Sequence, residues 1–341
     1  MKIAIVGGGI AGCALAYTLK NAGLHPVVYE TEATLASGAS GNPFGLYNPR
    51  LNALRTPQSD FYISAYSMAL RTFATFDDVG WMPSGALHLM NDDKKERRYS
   101  QMVQNWNWDE GHMRLVDADE ASEIAGIQLA FDALHLPQSG SVSLKKLCAA
   151  YMNDVDYHLN APVDDPDSLD SDAVVLASGP GVFKFLPDLP LGKVRGQITQ
   201  VRATPQSEKL KCHLCYGGYM MPAREGVHVL GSTFQRWLDH SQVLEQDDAE
   251  NLDKLAQNIP GLESGLEVVD HRAAVRVTSR DHFPVVGRVS GRRDMYVSTA
   301  HGSHGIVSSI MAAHVIADMI LGRPYCLGTD SVEALSPERF I

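Results

Sequence analysis

Five cysteines in 341 residues (Cys13, Cys148, Cys212, Cys215 and Cys326) are too few and too scattered for the disulfide framework of a small secreted domain. Cys212 and Cys215 form a CxxC, but no second pair or nearby histidine cluster completes a tetrahedral site. No metal is expected, and both thiols are expected to be buried on a strand. No stretch approaches the roughly 18 consecutive apolar residues of a membrane span. No basic leader precedes the first apolar run, which begins at residue 2, so a cytoplasmic protein without membrane association is expected. Positive charge is in deficit, 29 Lys and Arg against 40 Asp and Glu, a formal net charge of −11. That balance disfavours a polyanionic partner at long range unless a local patch overrides it. The two dense basic runs, 94–98 and 288–293, sit among acidic or turn-forming residues and read as solvated surface. Internal repeats, low-complexity tracts and any Ser/His/Asp or Cys/His constellation for nucleophilic catalysis are also missing.

What is present begins at the first residue. An apolar run, Lys2 to Val6, ends in Gly7-Gly8-Gly9-Ile10-Ala11-Gly12, and a second apolar run, 26–29, ends in Glu30. In a dinucleotide-binding βαβ unit Gly7 tightens the turn, Gly9 admits a pyrophosphate to the backbone and Gly12 lets the helix pack close to the sheet. The N–H groups of the first helical turn, Ile10 and Ala11 among them, then face the anion. Glu30 stands where a carboxylate accepts hydrogen bonds from a ribose and disfavours a 2′-phosphate. The competing reading, a plain tight turn in an α/β sheet, leaves Glu30 unexplained.

With 45% hydrophobic residues the chain has material for two lobes. A small-residue loop, 36–45, carries Ser40, Gly41, Asn42 and Gly45 and has the texture to wrap a flat or anionic group. Helical periodicity predicts helices over 57–78, 144–152, 245–257 and 306–321. A buried parallel strand is predicted at 172–180, ending in the turn at Gly179, a sheet-rich stretch at 195–234 and a strand at 295–300. Between that strand and the last helix lies a second small-residue junction, His301-Gly302-Ser303-His304-Gly305-Ile306. The dinucleotide lobe is therefore interrupted and resumed. The expected division is a discontinuous cofactor domain (1–80, 135–194 and 272–341) and a substrate domain (81–134 and 195–271). An interrupted lobe with a C-terminal return favours FAD over NAD.

The segments GASGNPFGLYNPRL (38–51), VRGQ (194–197), LCYGGYMMP (214–222), RAAVRVTSRDHFPVVG (272–287), AHGSHG (300–305) and ALSPERF (334–340) occur in one order over nearly the whole chain. In these segments the sequence resembles the FAD-dependent D-amino-acid oxidase and glycine oxidase superfamily. Within it, it most resembles the oxidase domain of the bifunctional tRNA 5-methylaminomethyl-2-thiouridine biosynthesis enzymes, without a fused methyltransferase. The resemblance implies a mixed α/β and α+β two-lobed flavoprotein, with a Rossmann-like FAD-binding domain and an inserted, sheet-backed substrate domain. Residues 38–45 would line the flavin, and Gly302 to Ile306 would lie at its pyrimidine edge. Ala274 takes the place of a cysteine that holds flavin covalently in some relatives, which implies noncovalent FAD. The shortness of the stretch between Met152 and Asp172, where relatives carry extra strand material, bears on the adenine side.

Arg276 lies in an apolar context, Ala273 to Val277, where a guanidinium needs a bidentate carboxylate partner. By resemblance that partner is the substrate carboxylate; an internal acidic side chain is the alternative. Tyr219 aligns with an active-site tyrosine, or is a core sheet tyrosine. Arg50 and Arg195 are further candidates near flavin or substrate. His304 stands where the tRNA-modifying relatives have arginine; it and His301 either meet the substrate or cap the last helix. Asp281 is expected to brace the turn that positions Arg276. The implied reaction is oxidation of the C–N bond of an α-amino acid or N-substituted glycine, a small carboxylate-bearing amine. Hydride leaves to flavin, the imine is hydrolysed, and O₂ reoxidises the cofactor. The alternative is removal of the carboxymethyl group from 5-carboxymethylaminomethyl-(2-thio)uridine in tRNA, a partner disfavoured by net charge. A third reading is a flavin-binding scaffold without activity.

Overall fold

The fold is described from a computed structural model covering residues 1–292 and 294–340; Arg293, the end of the second basic run, lies outside the described residues. Strand Lys2–Val6 leads through the glycine turn into helix Ile10–Asn21, which gives way at Gly23 (φ +82°) to strand His25–Tyr29. The two strands run parallel, with Ile3 opposite Pro26 and Val6 opposite Tyr29. Ala173–Leu176, buried at every position, adds in parallel on the other side of the first strand. The complete sheet has the order Val285–Arg288, Met295–Thr299, Ala173–Leu176, Lys2–Val6, His25–Tyr29, Asp156–His158, parallel except at the first edge. This is a doubly wound arrangement, whose ligands bind beyond the carboxyl ends of the strands. Helix Gly305–Leu321 is apolar almost all round because it is buried against the first helix and Pro57–Phe73.

Pro57–Phe73 starts at a reciprocal capping box between Thr56 and Ser59. It stops short of the predicted residue 78. The Thr75 hydroxyl takes the Thr72 carbonyl at 2.7 Å, a local bond that competes with the helical ladder. Phe76 still packs on Tyr17 and Tyr151, which is why the apolar period runs past the helix end. The remaining predicted helices form at Leu144–Tyr151, Glu245–Asn258 and Gly305–Leu321.

A second sheet of eight strands runs in the order Glu267–Ser279, Leu191–Arg202, Val227–Gly231, Tyr219–Met220, His213–Cys215, Ala86–Leu89, Ala133–Leu136, Arg114–Val116. Three expected segment boundaries, after residues 134, 194 and 271, fall inside strands of this sheet, each of which runs unbroken. Its two longest strands pair antiparallel from Leu191 opposite Ser279 to Arg202 opposite Glu267, with a bulge at Gln200/Val201. On one face Arg195, Gln197 and Thr199 are fully buried under helix Glu245–Asn258, and the layer between them is polar. Arg195 is paired with Asp247 and donates to Gln235; Gln197 and Thr199 donate to Asp248 at 2.9 and 2.7 Å. Buried polar groups are tolerated when bonded in this way. No described helix is long and apolar enough to cross a membrane.

Removing one member of the ion pair leaves the other buried charge uncompensated. Asp247→Ala is expected to lower folding stability by about 3–5 kcal/mol, read as a fall in the urea midpoint with unchanged slope.

Candidate active site

A cavity of about 730 Å³ opens where the two sheets meet, a size within the usual range of ligand sites. The dinucleotide lobe contributes Gly7, Gly9, Ile10, Ala11, Glu30 and Gly179; the loop after the second strand contributes Ser40, Asn42 and Gly45. The C-terminal junction adds Gly302, Ser303, His304, Gly305 and Ile306. The eight-stranded sheet closes the far end with Tyr219, Ser232 and Arg276. Segments some three hundred residues apart in the chain thus form one wall.

At the dinucleotide end the turn admits no side chains. Gly7 has φ +112°, and a Cβ there would lie 2.5 Å from the Ala177 carbonyl oxygen; one on Gly12 would lie 1.8 Å from the Gly7 oxygen. Gly12 therefore does not line the cavity and acts by close helix packing. A Cβ on Gly9 would reach the Ser40 hydroxyl at 3.2 Å, on the cavity side. The Ile10 N–H already donates to Ser40 Oγ at 2.9 Å, whereas the Ala11 N–H has no partner within its helix. Glu30 accepts from the Gly8 N–H at 2.6 Å and the Glu32 N–H at 2.9 Å, and each oxygen keeps a lone pair for a ligand hydroxyl. Gly41 faces away, against Arg272, whose guanidinium bonds Asn42 Oδ1 at 3.0 Å and the Ser37 and Gly38 carbonyls. Arg272, which sequence reasoning passed over, is the clamp that shapes this loop.

At the other end Arg276 has no carboxylate within ion-pair distance among the described residues. Among the described residues its guanidinium makes one hydrogen bond, from Nη2 to Ser232 Oγ at 3.3 Å, and Nη1 is buried and unpartnered. Gly196 leaves the space it occupies, since a Cβ there would lie 2.5 Å from Nη1. Burial pulls the guanidinium down from its ordinary pKa. Tyr219 stands beside it; burial pushes the phenol up to about 12, against the pull of the Arg276 charge, so it is a neutral donor at physiological pH. His304 is pushed down to about 3 by burial and by the charges of Arg50 and Arg276, and its imidazole is neutral. His301 lies between Ser298 Oγ (3.1 Å) and Ser308 Oγ (2.8 Å), the polar brace at the start of helix Gly305–Leu321.

Two arginines lie elsewhere. Arg195 is turned to the opposite face of its strand, into the pair with Asp247, because alternate side chains of a strand point to opposite sides and Gly196 faces Arg276. Arg50 lies outside the cavity wall, donating to Tyr62 Oη (3.0 Å) and to the His282 carbonyl (2.6 Å). It stands behind Tyr62, whose ring meets His304 edge-on at 5.5 Å. Ser232 and Asn48 line the cavity and were not singled out. Asn48 sits inside the NPRL run, but Ser232 follows an ordinary strand end and carries no sequence signal. Asp281 braces the turn after Arg276: it accepts from Arg339 Nε at 2.9 Å, Ser279 Oγ at 2.7 Å and the Phe283 N–H at 3.1 Å.

Residues 2–319 match the family of FAD dependent oxidoreductases that includes D-amino-acid oxidase-type enzymes. The chain belongs to that family. It is 33% identical, over 99% of its length, to the tRNA 5-methylaminomethyl-2-thiouridine biosynthesis bifunctional protein of Chromobacterium violaceum, and also 33% identical over 99% to that of Idiomarina loihiensis. It spans 59% and 58% of those relatives. Its fold matches the glycine oxidase of Geobacillus kaustophilus (TM-score 0.84, 22% identity, 99% of this chain and 98% of that one). It also matches the iminodiacetate oxidase of Chelativorans sp. BNC1 (TM-score 0.80, 20% identity, 98% of each chain). The chain is an FAD-dependent oxidoreductase with the mixed α/β flavoprotein fold expected from its sequence. The residues present fit the cofactor: a side-chain-free turn, a carboxylate with free lone pairs and a single cavity reaching from them to Arg276.

Gly9→Val puts branched methyls where Gly9 now leaves open cavity. The variant is expected to fold, by far-ultraviolet circular dichroism, and to purify without flavin absorbance; a yellow variant would place the pyrophosphate elsewhere. Burial alone would raise the Asp281 pKa, but the hydrogen bonds and charge of Arg339, with Ser279 and Phe283, bring it down to about 2. Its contribution to stability is therefore present above the ordinary carboxylate range and lost as pH falls through the folded value. The Tm gap between wild type and Asp281→Asn is expected to close between about pH 4 and pH 2.

Proposed function

We propose that this chain oxidises the C–N bond of an α-amino acid or N-substituted glycine, with O₂ as final acceptor. The observation that carries the reading is the unpartnered Arg276 Nη1 in the wall of the cofactor cavity. A desolvated guanidinium without an anion is costly, and a planar carboxylate supplies two parallel charge-assisted bonds. FAD, when bound, supplies the hydride-accepting chemistry. Arg276 holds the substrate carboxylate, and the neutral Tyr219 phenol is placed to donate a further hydrogen bond. His304, neutral at physiological pH, adds no second positive charge beside the substrate amine. Positioning is then the main catalytic task, since neither Tyr219 nor His304 is poised to exchange a proton near neutrality. No cysteine lines the cavity, which supports a noncovalent flavin, and five free thiols suit a cytoplasmic enzyme.

A second reading follows from the relatives named for tRNA 5-methylaminomethyl-2-thiouridine biosynthesis. There the substrate is the carboxymethylaminomethyl group of a tRNA uridine. It too is an N-substituted glycine, so Arg276 serves both readings, and the two differ in what surrounds the reacting group.

Arg276→Lys keeps the charge and loses the planar fork. The flavin spectrum is expected to persist. Anaerobic stopped-flow reduction by the best of glycine, sarcosine, D-amino acids and undermodified tRNA should fall about 30-fold to 1000-fold, as for loss of a bidentate contact of roughly 2–4 kcal/mol. Unchanged affinity and reduction rate would assign Arg276 to structure.

A further inference from the structure

We propose that the surface run Phe234 to Trp237, with His282 beside it and Arg280 two residues before His282 in the chain, is a docking rim for the single-stranded RNA that flanks the reacting uridine. The proposal rests on the tRNA reading of the same site. Trp237 is 76% exposed and Phe234 46% exposed, and neither contributes to a hydrophobic cluster among the described residues. Arg236 and Arg280 are exposed, and neither has a carboxylate within ion-pair distance among the described residues, in a chain with net charge −11. The nearby acids are already engaged, Asp239 with Lys193 and Asp281 with Arg339.

The run is held rigidly. Gln235 pairs with Arg195 through both backbone bonds at 2.9 Å, and its buried side chain lies between Arg195 and Asp247, donating to Asp247 at 2.8 Å. Thr233 and Gln235 point inward, so the alternate residues Phe234 and Arg236 point out. The buried Arg195–Asp247 pair thus props up two solvent-facing side chains of complementary chemistry.

The rim is continuous with the cavity. Ser232, two residues before Phe234, lines the cavity and accepts from Arg276 at 3.3 Å. Arg236 reaches His282 Nε2 at 3.3 Å, the His282 carbonyl accepts from Arg50 at 2.6 Å, and Arg50 bonds Tyr62, the neighbour of His304. A base in the cavity carries neighbouring nucleotides, whose phosphates suit the unpaired arginines and whose bases stack on exposed aromatic faces.

The test uses the FAD-loaded full chain and a fluorescein-labelled RNA stem-loop of anticodon-arm size, with an RNA duplex of like composition and polyglutamate as comparators. The wild type is expected to bind the stem-loop more tightly than the duplex and to ignore polyglutamate. Trp237→Ala should weaken the stem-loop about tenfold. Arg236→Gln with Arg280→Gln should flatten the slope of log affinity against log salt by about 1.4. Flavin absorbance, Tm and peroxide formation from sarcosine should stay at wild-type values in both variants. Stem-loop binding by the wild type that neither variant changes would overturn the rim and leave the tRNA reading standing. A wild type that binds no stem-loop would overturn the tRNA reading and the rim with it. Polyglutamate bound through these same residues would give the rim to an acidic protein partner.

Discussion

A guanidinium taken out of water needs an anion or a full set of acceptors, and Arg276 has one long hydrogen bond and a free Nη1. Its surroundings follow from that need. Gly196 makes room for the head group, Gly231 makes room for the Tyr219 hydroxyl (a Cβ there would lie 2.7 Å away), and His304 stays neutral. No described carboxylate approaches to satisfy the charge from within. The protein therefore keeps an unmet electrostatic demand on a residue that lines the cavity beginning at the glycine turn.

Two long paired strands make this arrangement stiff. Arg276 is paired with Val194 across the strands, next to the position where Gly196 meets Ala274. The same strand that sets Gly196 against Arg276 turns Arg195 and Gln197 to the polar layer under Glu245–Asn258. One face of the sheet is thus a binding wall and the other a buried network, and a one-residue slip in register would exchange them. The network also fixes the segment that follows Ser232, so the cavity wall and the outer surface beside it share one support.

Much was legible in the sequence because it depends on local chain geometry. The glycine turn is readable since Gly7 and Gly12 permit contacts that any Cβ would block. The helices at 144–152, 245–257 and 306–321 are readable since apolar period and caps are local. Arg276 stood out as a charge in an apolar strand. Arg195 was a candidate by family resemblance more than by its local context and lies in a different place, because an isolated strand does not reveal which of its faces meets a cavity. Arg272 was missed since its partners, Ser37, Gly38 and Asn42, lie on the far side of the chain.

The sequence by itself therefore determined the glycine turn and the family, both of them legible from residues close together in the chain. Only the tertiary structure decided which arginine faces the cavity, which is tied to Asp247 and which stands behind Tyr62. The physical reason is that strand alternation and pairing partner assign a side chain to a face, and both are settled by contacts between segments distant in sequence.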